Sequence, residues 1–134
     1  MIVEFPYQLE ESKLFGTVLR PVAVIKLKLA KRVVPVEMYV DSGADVTVIP
    51  RRFGEFLGFV IEQDEICEIC GIGEAVVPII VKNVRMDIGE REFDARIAWA
   101  MINEIPPLLG RLDVFDLFDI EFRQNEKIVL FKWK

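Results

Sequence analysis

Between Val22 and Val40 the sequence alternates apolar and polar side chains twice in succession, and a period of two is what a half-buried β-strand requires. In Val22 to Ala30, residues Ala23, Ile25, Leu27 and Leu29 share one face while Lys26 and Lys28 take the other. Arg32 to Val40 repeats the pattern with Val34, Val36, Met38 and Val40 set against Glu37 and Tyr39. Lys31-Arg32 is expected to join the two strands as a hairpin.

The same pattern continues downstream. Val46-Thr-Val-Ile49 is short and β-branched, and Pro50 closes it. Arg51 to Gly58 reads as a helical turn ending at glycine. Ala75 to Ile88 is strand-like, Asp87-Ile-Gly-Glu90 is a turn, and the next strand places Phe93, Ala95, Ile97 and Trp99 on one face. Beyond Pro106-Pro-Leu-Leu-Gly110, the three-residue steps Leu112, Phe115 and Phe118 predict a short amphipathic helix. Asp119 to Phe122 and Lys127 to Trp133 then predict a terminal hairpin around Gln124-Asn125.

A chain of 134 residues is expected to form one domain, 1–134. Its 52% apolar and 29% charged residues fit a globular protein. So apolar a composition follows from strand-rich structure or from surface hidden in an oligomer. A net charge of -5 without any dense Lys/Arg run argues against nucleic acid as a partner. Met1 to Pro6 lacks a basic start followed by an apolar stretch, and no apolar run approaches the roughly 18 residues of a membrane span. No membrane partner is expected, and a cytoplasmic location is.

The chain contains no histidine. Serine or cysteine catalysis through a His base and His-ligated metal sites therefore lose their usual participant, whereas carboxylate chemistry is untouched. The candidate carboxylate is Asp41, which follows the apolar strand on a Ser42-Gly43 turn. On three residues alone, an Asp capping a tight turn is the favoured reading. The apolar flank adds that Asp41 sits at the mouth of a core, where a carboxylate suits acid/base work. Only one such segment exists in the chain.

Cys67-Glu-Ile-Cys70 is the competing constellation. Zinc needs about four ligands, and neither a second Cys pair nor any His is present. The plainer reading is two small residues near a glycine-rich turn; a reversible disulfide that adjusts this turn is the sharper one. Trp99, Trp133 and the ten phenylalanines are expected in the core or at an interface rather than stacked on a ligand.

Taken together, these residues resemble the retropepsin-like aspartic proteases. The active-site turn of that family, Asp-Thr/Ser-Gly-Ala after an apolar strand, is matched by Asp41-Ser42-Gly43-Ala44, with Asp45 and Thr47 fitting its continuation. Its second signature, two apolar residues and Gly-Arg leading into a short helix, is matched by Leu108-Leu-Gly-Arg111. Gly71-Ile72-Gly73 falls where the glycine-rich flap belongs. The resemblance spans Val33 to Phe122, and the first twelve residues depart from the family's compact pattern.

The resemblance implies an all-β fold, a retropepsin-like closed barrel with one short helix before the C-terminal strands. It also implies an aspartic endopeptidase that uses neither metal nor cofactor. Asp41 would be the catalytic residue and Ser42 would bond across a subunit boundary. Gly43 would leave room for a substrate backbone. Asp45, Gly71, Ile72 and Gly73 would bind the peptide, and Arg111 would support the turn by pairing with Asp45. Because the chain carries one Asp-Ser-Gly, the expected active form is a homodimer with one Asp41 from each copy. The strand Lys127 to Trp133 would then supply most of the interface. The alternative is a catalytically silent peptide-binding or dimerisation module on the same fold.

Overall fold

The computed structural model describes residues 1–71, 73 and 75–134. Its centre is a barrel. The strands are β1 (Ile2–Pro6), β2 (Gln8–Ser12), β3 (Gly16–Arg20), β4 (Val22–Leu29), β5 (Arg32–Val40), β6 (Thr47–Ile49), β7 (Cys67–Cys70), β8 (Val76–Ile88), β9 (Arg91–Ala100), β10 (Leu108–Leu109), β11 (Phe118–Arg123) and β12 (Ile128–Trp133). One α-helix, α1 (Arg51–Leu57), follows β6.

Six strands close on themselves in the order β4-β5-β10-β6-β9-β8, and β8 returns to β4 through Lys26↔Asp87, Leu27↔Met86 and Lys28↔Arg85. Closure removes the open edges that an extended sheet would expose. Most neighbours are antiparallel, but β10 runs parallel to β5 and β6 runs parallel to β9. The period-two reading of β4 and β5 holds in three dimensions: Ala23, Ile25, Leu27, Val36 and Met38 are buried, while Val24, Lys26 and Glu37 are exposed. In β9 the expected face of Phe93, Ala95, Ile97 and Trp99 is buried. Ala98 and Ala100 are buried too, because a smaller cluster with Val48 and Ile79 covers the other side of that strand.

Trp99 organises the region beneath α1. Its indole Nε1–H donates to the Arg51 carbonyl at 3.0 Å, and its ring lies 5.4 Å from that of Phe59. A Cβ on Gly54 would overlap the indole, which explains a glycine in the middle of so short a helix. Gly58, with φ 90, ends the helix in the left-handed conformation.

Two local expectations are corrected. The hairpin connection is Ala30-Lys31 rather than Lys31-Arg32, with Leu29 opposite Arg32 and Ala30 at φ 53. An alanine adopts this left-handed turn position without the glycine or asparagine that would have marked it. Of residues 111–118, expected as a helix, 111–117 wind through successive turns and Phe118 opens β11. Asp113 at φ 63 interrupts the helical path there.

Asp113 earns that conformation by a fork of contacts. Its carboxylate accepts the Arg96 backbone N–H at 2.9 Å, Nε–H at 2.8 Å and Nη2–H at 2.9 Å. The Arg96 side-chain bonds, helped by its backbone N–H and charge, outweigh partial burial and hold the carboxyl at about 2, against an ordinary 3.8. A depressed carboxyl pKa contributes stability that is present above the unfolded value and is lost as pH falls through about 2. Asp113→Asn keeps a side chain tolerant of left-handed φ but removes the charge. Allowing for solvent around the half-exposed guanidinium, it is expected to lower unfolding free energy by about 1 kcal/mol at pH 7. Urea unfolding of both proteins at pH 7 and below pH 2 measures this, and the difference should vanish at the lower pH.

Outside the barrel, β12 lies between β1 and β11, antiparallel to both. Both edges of β12 are therefore occupied by its own chain. Lys127 to Trp133, expected to supply most of an interface, thus has no free edge left for strand pairing with a second copy. Among the described residues no helix is long and apolar enough to cross a membrane.

Candidate active site

Asp41 is the first residue beyond β5, and its position is fixed from both sides. Val40 N–H donates to the Pro21 carbonyl and Asp41 N–H to the Leu109 carbonyl, each at 3.0 Å. Ala44 N–H closes the turn onto the Asp41 carbonyl at 3.2 Å. Gly43 N–H donates to Asp41 Oδ1 at 2.9 Å, which orients the carboxylate within its own turn. A Cβ on Gly43 would approach that same oxygen to 3.2 Å, so the glycine keeps the carboxylate uncrowded.

The two motifs, nearly seventy residues apart, are laced together mainly by backbone. Arg111 N–H donates to the Ala44 carbonyl and Leu112 N–H to the Asp45 carbonyl, both at 2.9 Å. Gly110 N–H donates to Thr47 Oγ1 at 3.0 Å, and Thr47 is fully buried. A buried hydroxyl must find a partner, and this one binds the β6 end of the first motif to the second. The Arg111 guanidinium reaches the Ser42 carbonyl at 3.4 Å and lies 5.9 Å from the Phe115 ring. Among the described residues it forms no ion pair with Asp45, contrary to expectation. The tie between turn and support exists, but peptide groups make it.

Asp41, Gly43, Ala44 and Asp45 line a cleft of about 790 Å³. Its opposite side comes from the β7–β8 hairpin, through Ile69, Gly71 and Val77, while Val46 and Leu108 add apolar surface. The hairpin thus overhangs the Asp41 turn. Gly71 N–H donates to the Ala75 carbonyl at 2.8 Å near its tip. Gly73, exposed in the turn beyond, has φ 76. Ile72, expected to bind substrate, lies outside the described residues. Ser42 is exposed at the turn. A cleft of this size, mostly apolar with a few polar groups, falls in the range of ligand-binding pockets.

Cys70 and Ile105 also line the cleft, and the sequence reading passed over them in that role. The signal for Ile105 was its place just before an extended Pro-Pro segment that delivers Leu108. Cys67 and Cys70 are both free and sit three residues apart on one strand. At roughly 3.3 Å per residue they are about 10 Å apart and face opposite sides of the sheet. A disulfide allows at most about 7 Å between Cα atoms. The reversible intrachain disulfide is therefore excluded while β7 stays paired.

No family model matches the sequence, and neither does any curated protein. Among solved structures the chain is similar to a retropepsin-like aspartic protease from Rickettsia conorii. That likeness has a TM-score of 0.60 at 15% identity and covers 98% of this chain and 91% of that one. It is also similar to the EIAV protease in complex with an inhibitor, with a TM-score of 0.54 at 21% identity over 75% of this chain and 86% of that one. A closed six-stranded barrel, one short helix and likenesses that cover most of the chain give one conclusion: this chain has the retropepsin-like fold.

Proposed function

We propose that the chain is an aspartic endopeptidase whose catalytic site is completed by a second copy of itself. The observation that carries this reading is the placement of Asp41 on the cleft, its turn braced by residues 109–112 and overhung by the β7–β8 hairpin. A peptide lying extended in the cleft would pass its backbone over Gly43, with Asp45, Gly71 and Gly73 beside it. Ser42, exposed on the turn, would bond to the equivalent turn of the partner.

One carboxylate cannot serve as base and acid in the same step. Two carboxylates about 3 Å apart cannot both ionise and so share one proton, and aspartic proteases are the standing example of that principle. The ionised Asp41 takes a proton from water as the oxygen attacks the scissile carbonyl carbon. The protonated Asp41 of the partner subunit gives its proton to the carbonyl oxygen.

The test is digestion of a peptide library over a dilution series of the protein. Cleavage per mole of chain should fall steeply once the concentration drops below the dimer dissociation constant. Constant specific activity down to isolated monomers refutes the shared site. Peptide binding without cleavage at any concentration identifies a silent binding module instead.

A further inference from the structure

The β2–β3 hairpin stands apart from the barrel. It forms a two-stranded sheet of its own, with Leu9 opposite Leu19 and the turn at residues 13–15. Two strands alone are marginally stable in water, and such a hairpin normally hides an apolar face on something else. Here the apolar side chains point out: Leu14 is 80% exposed, Phe15 76% and Leu9 73%. Several of its polar groups are satisfied within the chain. Tyr39 donates its hydroxyl to Glu10 at 2.6 Å, Arg20 lies 3.6 Å from the same carboxylate, and Thr17 donates to Glu11 at 2.8 Å. What remains for a partner is a stripe of large apolar groups.

The root of the hairpin says where that partner sits. Pro21, the next residue after β3, accepts the N–H of Val40, directly ahead of Asp41. At its base, Gln8, Leu9 and Glu10 border a groove of about 350 Å³ against Tyr39, Pro106 and Pro107, and Pro106 also lines the Asp41 cleft. The hairpin therefore rises beside the site that a second copy must meet for two Asp41 carboxylates to come together. An apolar patch next to a two-fold axis meets the same patch, or its immediate surroundings, on the other copy.

We infer that the β2–β3 hairpin is a dimerisation arm, with Leu9, Leu14, Leu19 and Phe15 packing on a second copy of this chain. This rests on the proposed two-copy site. It names a surface separate from the catalytic turns, and one that strand pairing by β12 does not provide. The buried apolar centre of an interface is where most binding free energy concentrates, so loss of two large exposed side chains should be felt strongly.

The experiment is sedimentation equilibrium of the wild-type chain, Leu14→Ser, and Leu14→Ser with Phe15→Ser, with near-UV circular dichroism to show that each retains its fold. The double variant should have a dimer dissociation constant raised at least ~10-fold, the single variant an intermediate one. A dimeric, active wild type whose constant is unchanged in both variants overturns the arm and leaves the proposed function standing. A wild type that stays monomeric and cleaves nothing overturns both. Wild-type binding to phosphatidylcholine vesicles that the double variant loses, with the dimer constant unchanged, assigns the hairpin to a lipid surface and also overturns the arm.

Discussion

Asp41→Asn is expected to reduce peptide cleavage by at least about 10⁴-fold while leaving the fold intact. The substitution is nearly isosteric, and the Asn side-chain oxygen can still accept the Gly43 N–H that Asp41 Oδ1 accepts at 2.9 Å. The Asp41 N–H bond to the Leu109 carbonyl is made by backbone and is indifferent to the change. What disappears is the capacity to take or give a proton. A positioned acid or base contributes typically 10²- to 10⁴-fold. In a site built from two copies, one substitution removes both, so the loss belongs at the upper end or beyond. Digestion of a peptide library at mildly acidic and neutral pH, with products read by mass spectrometry, measures it. Thermal unfolding of the same samples should give melting temperatures within a few degrees of each other. Equal cleavage by the two proteins would remove Asp41 from the chemistry.

Gly110→Ala is expected to be strongly destabilising. A Cβ at this position would overlap the Val46 carbonyl group and lie 2.8 Å from Thr47 N, all backbone atoms that cannot rotate aside. Room can be made only by separating β6 from β10, breaking the Gly110–Thr47 bond and the Leu108↔Val48 pairing. Overpacking a tight core costs typically 1–3 kcal/mol and sometimes more. With rigid backbone on both sides, about 3 kcal/mol or more is expected. For a domain of this size that is a fall in melting temperature of roughly 10 °C. Calorimetry of the variant checks it. The same change also shifts the braced turn carrying Asp41, so residual activity should fall even in the fraction that remains folded. A melting temperature within about 2 °C of wild type would show that the β6–β10 contact is not a constraint on this fold.

The legible parts of the sequence were those where side chains alternate against one core. β4, β5 and β9 announce themselves because every second residue is apolar, and closure of a barrel buries that face. The paired motifs at Asp41 and Leu108 were legible as residue types. How they join was not, because the links run through the carbonyls of Ala44 and Asp45, which any residue supplies. Opposite charges on Asp45 and Arg111 suggested an ion pair, yet the guanidinium turns to the Ser42 carbonyl and the Phe115 ring. The three-residue spacing of Leu112, Phe115 and Phe118 mimicked a helix. The turns instead bury Val114 and leave Leu112 and Phe115 half-buried before β11 begins at Phe118, and the left-handed Asp113 leaves no mark in the apolar pattern. The pairing of β12 with β1 was hidden for a different reason: its two strands lie at opposite ends of the chain.

That placement of β12 has a bearing on how the protein is made and kept. A newly synthesised copy finds every hydrogen-bonding neighbour of this strand within itself and need not wait for another copy to finish folding. Under the proposed function, self-sufficiency of the monomer separates acquiring a shape from acquiring an activity. The first is unimolecular and the second depends on abundance. Peptide cutting then begins only where the concentration of the chain approaches the dimer dissociation constant.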